Sequence, residues 1–449
     1  MKQKTLCAIG LLLVAAAPAV PPKQDQQIET LRAISAKNIE ATIRKLASFG
    51  TRHTLSETQS ETRGIGAARR WIQSELERYS RGSGGRLQVT MDEFTQPPGA
   101  RIPQPVQIVN VVATLPGSQP ESRDRIYVVS GHYDSRASDP LNATVDAPGA
   151  NDDASGVAAV MEIARTMSKH KWDATLVFMA VAGEEQGLYG SAHWAQMAKE
   201  KNWNVAGMIT NDIIGSSRAE DGKIDHLHVR CFAEGVPPLK EMPDNLQTLL
   251  KTGGENDSPA RQLARFIKTT AEMYVPKLTV NIIYRRDRYL RGGDHSPFLD
   301  AGFAAVRMTE PNEDYRHQHQ DVRVEGGTQF GDLPEFCDFE YITQVARLNA
   351  AALGALASAP AMPKDVEIEA KELTNNTTLR WKANKEPDLA GYKVVWRETT
   401  SPIWQHSVAA GNVTRFTVEK VSKDNFLFGV CAVDTAAHIS PAAYPIPAK

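Results

Sequence analysis

The sequence predicts an α/β domain, built on a mixed but largely parallel sheet sandwiched by helices, followed by a small all-β sandwich. Three observations carry this prediction. Apolar or β-branched runs at 109–115, 126–130, 176–181, 208–212, 227–232, 280–284 and 304–308 alternate with helical stretches such as 156–167, the pattern of a sheet covered on both faces. At 449 residues the chain exceeds the roughly 250 to 300 at which one hydrophobic core stops growing, so two domains are expected. Beyond residue 363 the character changes to short strand runs at 366–370, 378–381, 392–397, 415–418 and 427–433, separated by turn residues.

Taken in order, the chain opens with Lys2 and Lys4, an apolar stretch over 6–17 and Ala17-Pro18-Ala19, which has the small-x-small form of a signal peptidase site. A signal peptide over 1–19 is expected, with the mature chain exported to the periplasm or the extracellular space. The apolar run is shorter than the roughly 18 to 20 residues a span needs, so no membrane span is expected in the mature chain. Helical spacing follows at 28–49 and 64–79, the second carrying Ala67, Ala68, Trp71, Ile72 and Leu76 on one side. Residues 80–86 are rich in Gly and Ser, and 97–105 form a proline-studded loop. The stretch 218–257 is polar around one strand and is expected to lie over the surface near the strand ends. Residues 334–357 read as a final helix and 358–363 as a linker. The predicted domains are therefore 25–358 and 364–449.

Charge and cysteine content exclude several function classes. Lys and Arg number 51 against 53 Asp and Glu, a formal net charge of -2 with no basic run, so nucleic acid is not expected as a partner. Of the four cysteines, Cys7 lies in the leader; Cys231, Cys337 and Cys431 have neither zinc-finger nor disulfide-framework spacing. One pair, Cys231 with Cys337, could close in an oxidising compartment, with buried free thiols as the alternative.

The chemistry concentrates at strand exits. Ala182-Gly183-Glu184-Glu185-Gln186-Gly187 follows the run at 176–181, placing two carboxylates where open α/β sheets bind ligands. Adjacent carboxylates repel unless a positive charge lies beside them, which points to a metal centre. Gly131-His132-Tyr133-Asp134-Ser135 closes a second strand, and Asn211-Asp212 a third. Between them, Pro148-Gly149-Ala150-Asn151-Asp152-Asp153-Ala154-Ser155-Gly156 is a tight acidic loop opening onto a helix. Carboxylates there could simply cap that helix. Capping does not account for His132 and the glutamate pair as well. Two zinc ions about 3.5 to 4 Å apart need a bridging carboxylate, with His nitrogen and carboxylate oxygen completing each.

These motifs, with Ala182 to Ser191 reading A-G-E-E-Q-G-L-Y-G-S and Gly293 to Phe298 reading G-D-H-S-P-F, resemble the co-catalytic di-zinc aminopeptidases of metallopeptidase family twenty-eight across nearly all of residues 30–350. The resemblance implies two zinc ions per chain. Asp152 would bridge them, His132 and Asp212 would hold one, and Glu185 with a late histidine the other. It also implies Glu184 as general base for a zinc-bridging water, Asp134 orienting the His132 imidazole, and a cis peptide after the bridging aspartate. The late histidine sits in Tyr315-Arg316-His317-Gln318-His319-Gln320-Asp321, where spacing back from Asp321 favours His317, with His319 as the alternative. His295 is expected to shape the pocket wall without binding metal. The implied reaction is hydrolysis of a peptide's N-terminal bond.

A carboxypeptidase of the same family is the nearest alternative, because Arg285, Arg286, Arg288 and Arg291 precede G-D-H-S-P-F and could hold a terminal carboxylate. A non-catalytic binding protein on the same fold is the alternative from another class. The C-terminal segment resembles a fibronectin type III domain through Trp381, Tyr392 and the run 428–434, with Phe426 where that family has a tyrosine; its partner is open.

Overall fold

The computed structural model describes residues 24–237 and 243–448, so the leader expected over 1–19 lies outside the described residues. The large domain is built on an eight-stranded sheet: β1 (Gln88–Gln96), β2 (Val106–Leu115), β3 (Arg125–His132), β4 (Thr175–Val181), β5 (Asn204–Asn211), β6 (His228–Ala233), β7 (Thr279–Ile283) and β8 (Ala305–Thr309). The strand order is β1-β2-β4-β3-β5-β8-β6-β7. The central four, β4, β3, β5 and β8, run parallel, and β2 and β6 flank them antiparallel. Their carboxyl ends therefore open on one edge of the sheet, where His132, Val181 and Asn211 close β3, β4 and β5.

Burial on both faces explains the uninterrupted apolar runs: every residue of β4 is buried. Alternate residues face different cores. Val129, Phe178 and Ile209 pack with α1 (Gln24–Ala33), α2 (Ala36–Ala47), α3 (Gly64–Gly82), α4 (Ala154–Met167), α8 (Pro259–Tyr274) and α10 (Phe339–Ser358). Val128, Val177 and Met208 pack with Trp194 of α6 (Tyr189–Glu200) and Phe298 of α9 (His295–Ala301), whose rings stack at 5.4 Å. The one-turn α5 (Glu184–Gly187) links β4 to α6.

The strand readings at the sheet centre match the observed elements, and the differences lie at its edges. Strand β1 reads too polar to be recognised, because as an edge strand it buries no residue fully. The polar 218–257 stretch holds β6 but also a helix, α7 (Asp244–Lys251). After His319 a short hairpin forms from β9 (Arg323–Glu325) and β10 (Thr328–Phe330).

The C-terminal strands are β11 (Lys364–Ile368), β12 (Thr377–Lys382), β13 (Leu389–Glu398), β14 (His406–Gly411), β15 (Arg415–Val418), β16 (Phe426–Asp434) and β17 (Ile446–Pro447). They make a four-stranded and a three-stranded sheet around Leu379, Trp381, Tyr392, Val394 and Phe428. Cys231, Cys337 and Cys431 are free thiols, so the Cys231–Cys337 bridge left open by the sequence is not formed. Among the described residues no helix is long and apolar enough to cross a membrane.

Candidate metal centre

Two strand exits and one helix start are tied together by a single side chain. Asp153 caps α4 by accepting from Gly156 N at 3.0 Å, and also accepts from His132 N at 2.9 Å and Ile213 N at 3.3 Å. The acidic loop thus does cap a helix, but the capping residue is Asp153, which leaves Asp152 free to face the cleft. The Asp152–Asp153 peptide is cis. Close approach of β3 to α4 needs Gly131, where a Cβ would lie 2.5 Å from the Gly156 carbonyl carbon.

His132 Nε2 lies 3.1 Å from Asp152 Oδ1 and 3.9 Å from Asp212 Oδ1. His319 Nε2 lies 2.9 Å from Asp152 Oδ2 and 3.0 Å from Glu185 Oε1. Two groups that could each hold a metal ion result, His132 with Asp152 and Asp212, and Glu185 with His319 and the same Asp152, the ligand atoms of each lying within 4.8 Å of one another. Both oxygens of Asp152 are used, one towards each group.

The preference for His317 is corrected here. His317 stacks on Phe336 at 3.7 Å between ring centroids, with Nδ1 3.7 Å from Asp314 Oδ2, while His319 reaches the cleft from a left-handed backbone, φ 54°. Counting back from Asp321 could not foresee that turn. Asp134 also differs in detail. Its backbone carbonyl, 3.1 Å from His132 Nδ1, is the nearer partner of the imidazole, and its carboxylate Oδ1 is 3.6 Å away. That carboxylate accepts from Glu184 N at 3.3 Å, Glu185 N at 3.1 Å and Thr54 Oγ1 at 3.0 Å. Asp134 therefore orients the glutamate turn as well as the histidine. With Nδ1 facing a carbonyl, His132 carries its proton there and turns a lone pair on Nε2 into the cleft. His295 is buried against Arg286 O at 2.8 Å.

The electrostatics fit a cationic guest. Burial pushes the Glu184 carboxyl well above the ordinary range, with Asp212 and Glu185 adding to it. Burial likewise raises Asp212 despite Arg307 beside it. His319 is raised to about 10: burial opposes its charge, but Glu185 and Asp152 outweigh that. Burial opposes the charge of Asp152 as well, but His319 and His132 hold it well below the ordinary range, so the set balances its carboxylates with imidazolium charge, and its mix of nitrogen and oxygen is the one zinc takes.

Several side chains at the centre carry no motif signature. Arg136 Nε is 3.0 Å from Glu185 Oε2, and its Nη2 is 2.7 Å from His319 Nδ1. Arg307 Nη2 is 2.9 Å from Asp212 Oδ1. Gln318 Nε2 donates to Asp152 Oδ2 at 3.1 Å, and Asp332 accepts from Asp152 N at 2.7 Å. Two of them had a signal, Arg136 in its place directly after G-H-Y-D-S and Gln318 between His317 and His319.

Comparison with known proteins accords with this geometry. The profile of Peptidase family M28 matches residues 110–324. A "Probable zinc metalloprotease" of Pyrenophora teres f. teres is 51% identical over 431 residues, covering 96% of this chain and 89% of its own. Among solved structures, the Legionella pneumophila LapA aminopeptidase superposes with a TM-score of 0.53 at 19% identity, covering 80% of each chain. The Fimbriiglobus ruber glutaminyl cyclase does so with a TM-score of 0.50 at 18% identity, over 72% of this chain and 95% of its own. At those identities the two structures speak for the fold alone, whereas the sequence relationship reaches further: the chain belongs to peptidase family M28 and is a zinc metallopeptidase.

Proposed function

We propose that the chain is an exported aminopeptidase that uses two zinc ions, with Asp152 shared between them, and cleaves the N-terminal residue from peptides. The observation that carries this reading is the use of both Asp152 oxygens, one towards His132 and Asp212 and the other towards Glu185 and His319. When bound, zinc supplies a Lewis acid for the scissile carbonyl and brings a water within reach of deprotonation near neutral pH. His132 and Asp212 would hold one ion, Glu185 and His319 the other. Glu184, half-buried beside them with no ligand role, is the group placed to take the water's proton and hand it to the leaving amine, work typically worth about 10² to 10⁴ in rate.

The carboxypeptidase alternative needs free arginines, and the candidates are engaged. Arg286 pairs with Glu234 at 3.2 Å and Asp300 at 2.7 Å, Arg288 with Asp287 and Glu313, Arg291 with Glu313 at 3.0 Å. Arg285 covers the Tyr289 ring at 4.2 Å. The C-terminal sheets are read as a fibronectin type III-like sandwich over 364–449.

Metal analysis of the purified mature protein, beside hydrolysis of a panel of aminoacyl-anilides with and without chelator, tests the reading. About two zinc per chain with chelator-sensitive release is the expected result. Glu184→Gln should keep the metal and lose turnover by at least about a hundredfold, whereas Asp152→Asn should lose both ions. Two zinc with no anilide release would redirect the search to carboxyl-end or blocked substrates.

A further inference from the structure

Both metal-holding groups have an arginine against their terminal carboxylate, but the two arginines are built differently. Arg307, on β8, is fully buried. Its Nη1 lies 3.3 Å from Asp287 Oδ2 and donates to Gly292 O at 2.9 Å, its Nη2 donates to Asp212 O at 3.4 Å, and the ion pair to Asp212 Oδ1 is 2.9 Å. The oxygen it holds is the one that faces His132 Nε2 across 3.9 Å. Room for this arrangement comes from Gly293, where a Cβ would meet Arg307 Nη1 at 2.9 Å and Asp212 Oδ2 at 3.0 Å. The guanidinium has no other place to go: it is fixed by an acid and a carbonyl on one side and by Asp212 on the other.

Among the described residues Arg136 is held by Glu185 and His319, both of the other group, and its side chain keeps 14% of its surface exposed. An imidazole that gives Nε2 to a metal carries its proton on Nδ1, and a guanidinium cannot accept a hydrogen bond. With an ion on Glu185 and His319, Arg136 could not keep its place against His319 Nδ1, and its partial exposure leaves it room to move. No corresponding movement is open to Arg307.

We propose that Arg307 is a permanent rival of the metal ion for Asp212, and makes the position formed by His132, Asp152 and Asp212 the weaker and more readily exchanged of the two. Asp212 shares its negative charge between a fixed monovalent cation and the ion, so it donates less to the ion. That lowers affinity and leaves an ion there the stronger electrophile. Arg307 acts through Asp212 and is a positioning residue. The inference rests on the two-ion reading above.

The test is zinc titration of the chelator-stripped full chain against a competing chelator indicator, which reads affinity without turnover. The wild-type chain should take up two zinc in two steps, with His132→Ala losing the weaker step and His319→Ala the tighter. Arg307→Met should tighten the weaker step by about tenfold or more, the usual range for partners just outside the ligands, and leave the tighter step unchanged within about threefold. Asp287→Asn supplies the opposite arm. It leaves Asp212 as the only carboxylate on the guanidinium, so the weaker step should weaken further, and this variant decides the matter if Arg307→Met does not fold. Two steps assigned the other way round, or a weaker step indifferent to Asp287→Asn or Arg307→Met, would overturn the inference alone. A wild-type chain that binds no zinc would overturn the two-ion reading and the inference with it.

Discussion

Arg52 has no role in the chemistry and yet holds much of the centre in place. It is fully buried and donates to four carbonyls: Tyr133 O at 2.7 Å, Gly149 O at 2.9 Å, Leu46 O at 3.2 Å and Pro148 O at 2.5 Å. Burial lowers its pKa to about 10, with Asp332 and Asp134 opposing, so it stays charged at neutral pH. Arg52→Met would strand those carbonyls, each worth about 1 to 3 kcal/mol when left unpaired. The expected outcome is at least about 3 kcal/mol less stability in urea unfolding, with zinc content falling in parallel. Asp287 makes a pH-dependent contribution. Burial would raise its pKa, but Arg307, His295 and Arg288 outweigh that and hold it at about 2, below the ordinary 3.8. A depressed carboxyl stabilises the fold above its unfolded value, and the contribution is lost as pH falls from about 4 towards 2. At about 1.4 kcal/mol per unit it is worth about 2 kcal/mol at neutral pH. Wild type and Asp287→Asn should therefore differ by that amount at pH 7 and converge near pH 2, as followed by urea unfolding of the metal-free proteins. Residues of this kind were not legible in the sequence. His132, Asp152, Glu184, Glu185 and Asp212 announce themselves through short motifs, because the strand exit, the tight turn and the ligand are adjacent. Arg52 and Asp332 act across about 80 and 180 residues on backbone groups that any sequence would supply.

The element that matters most is the single turn α5. Gly183 enters it at φ 76°, where a Cβ would also meet Ile108 Cδ1 at 2.9 Å. That left-handed entry aims the Glu184 and Glu185 N–H groups back at the Asp134 carboxylate, so glutamates and histidine share one anchor. Gly183→Ala pays the left-handed penalty of roughly 1 to 2 kcal/mol and pushes on β2. We expect zinc affinity to fall and turnover to drop at least about tenfold while the secondary structure persists, read by circular dichroism beside the zinc titration. The motif A-G-E-E made this turn recognisable. Edge elements were not so marked: β1 sets only half-buried Val89, Met91 and Phe94 among polar residues, and α7, at eight residues, is too short for its three leucines to declare a helical period.

At the scale of the whole molecule, the change of composition near residue 360 reads as a linker to an independent module, but the contacts describe a fixed joint. Asp257, buried in the large domain, is held between Arg265 at 3.0 Å and Arg397 of β13 at 2.7 Å, all three side chains no more than 2% exposed. Arg265 Nε also donates to Pro402 O at 2.6 Å, and Arg125 of β3 pairs with Glu386 at 3.4 Å. Removing Arg397 leaves Asp257 paired with Arg265 but unties β13 from the large domain at a buried contact. The two domains should therefore unfold together in the wild type and separately in Arg397→Leu. Their own cysteines can report it. Burial raises the thiols of Cys231 in β6 and Cys431 in β16 to about 12, so neither reacts with an alkylating agent at pH 8 until its domain opens. Along a urea series read by mass spectrometry, both should become labelled over the same range in the wild type. In Arg397→Leu, Cys431 should label at lower urea than Cys231. Coincident labelling in that variant would mean that the joint rests on the remaining contacts and that the Asp257–Arg397 pair is dispensable to it.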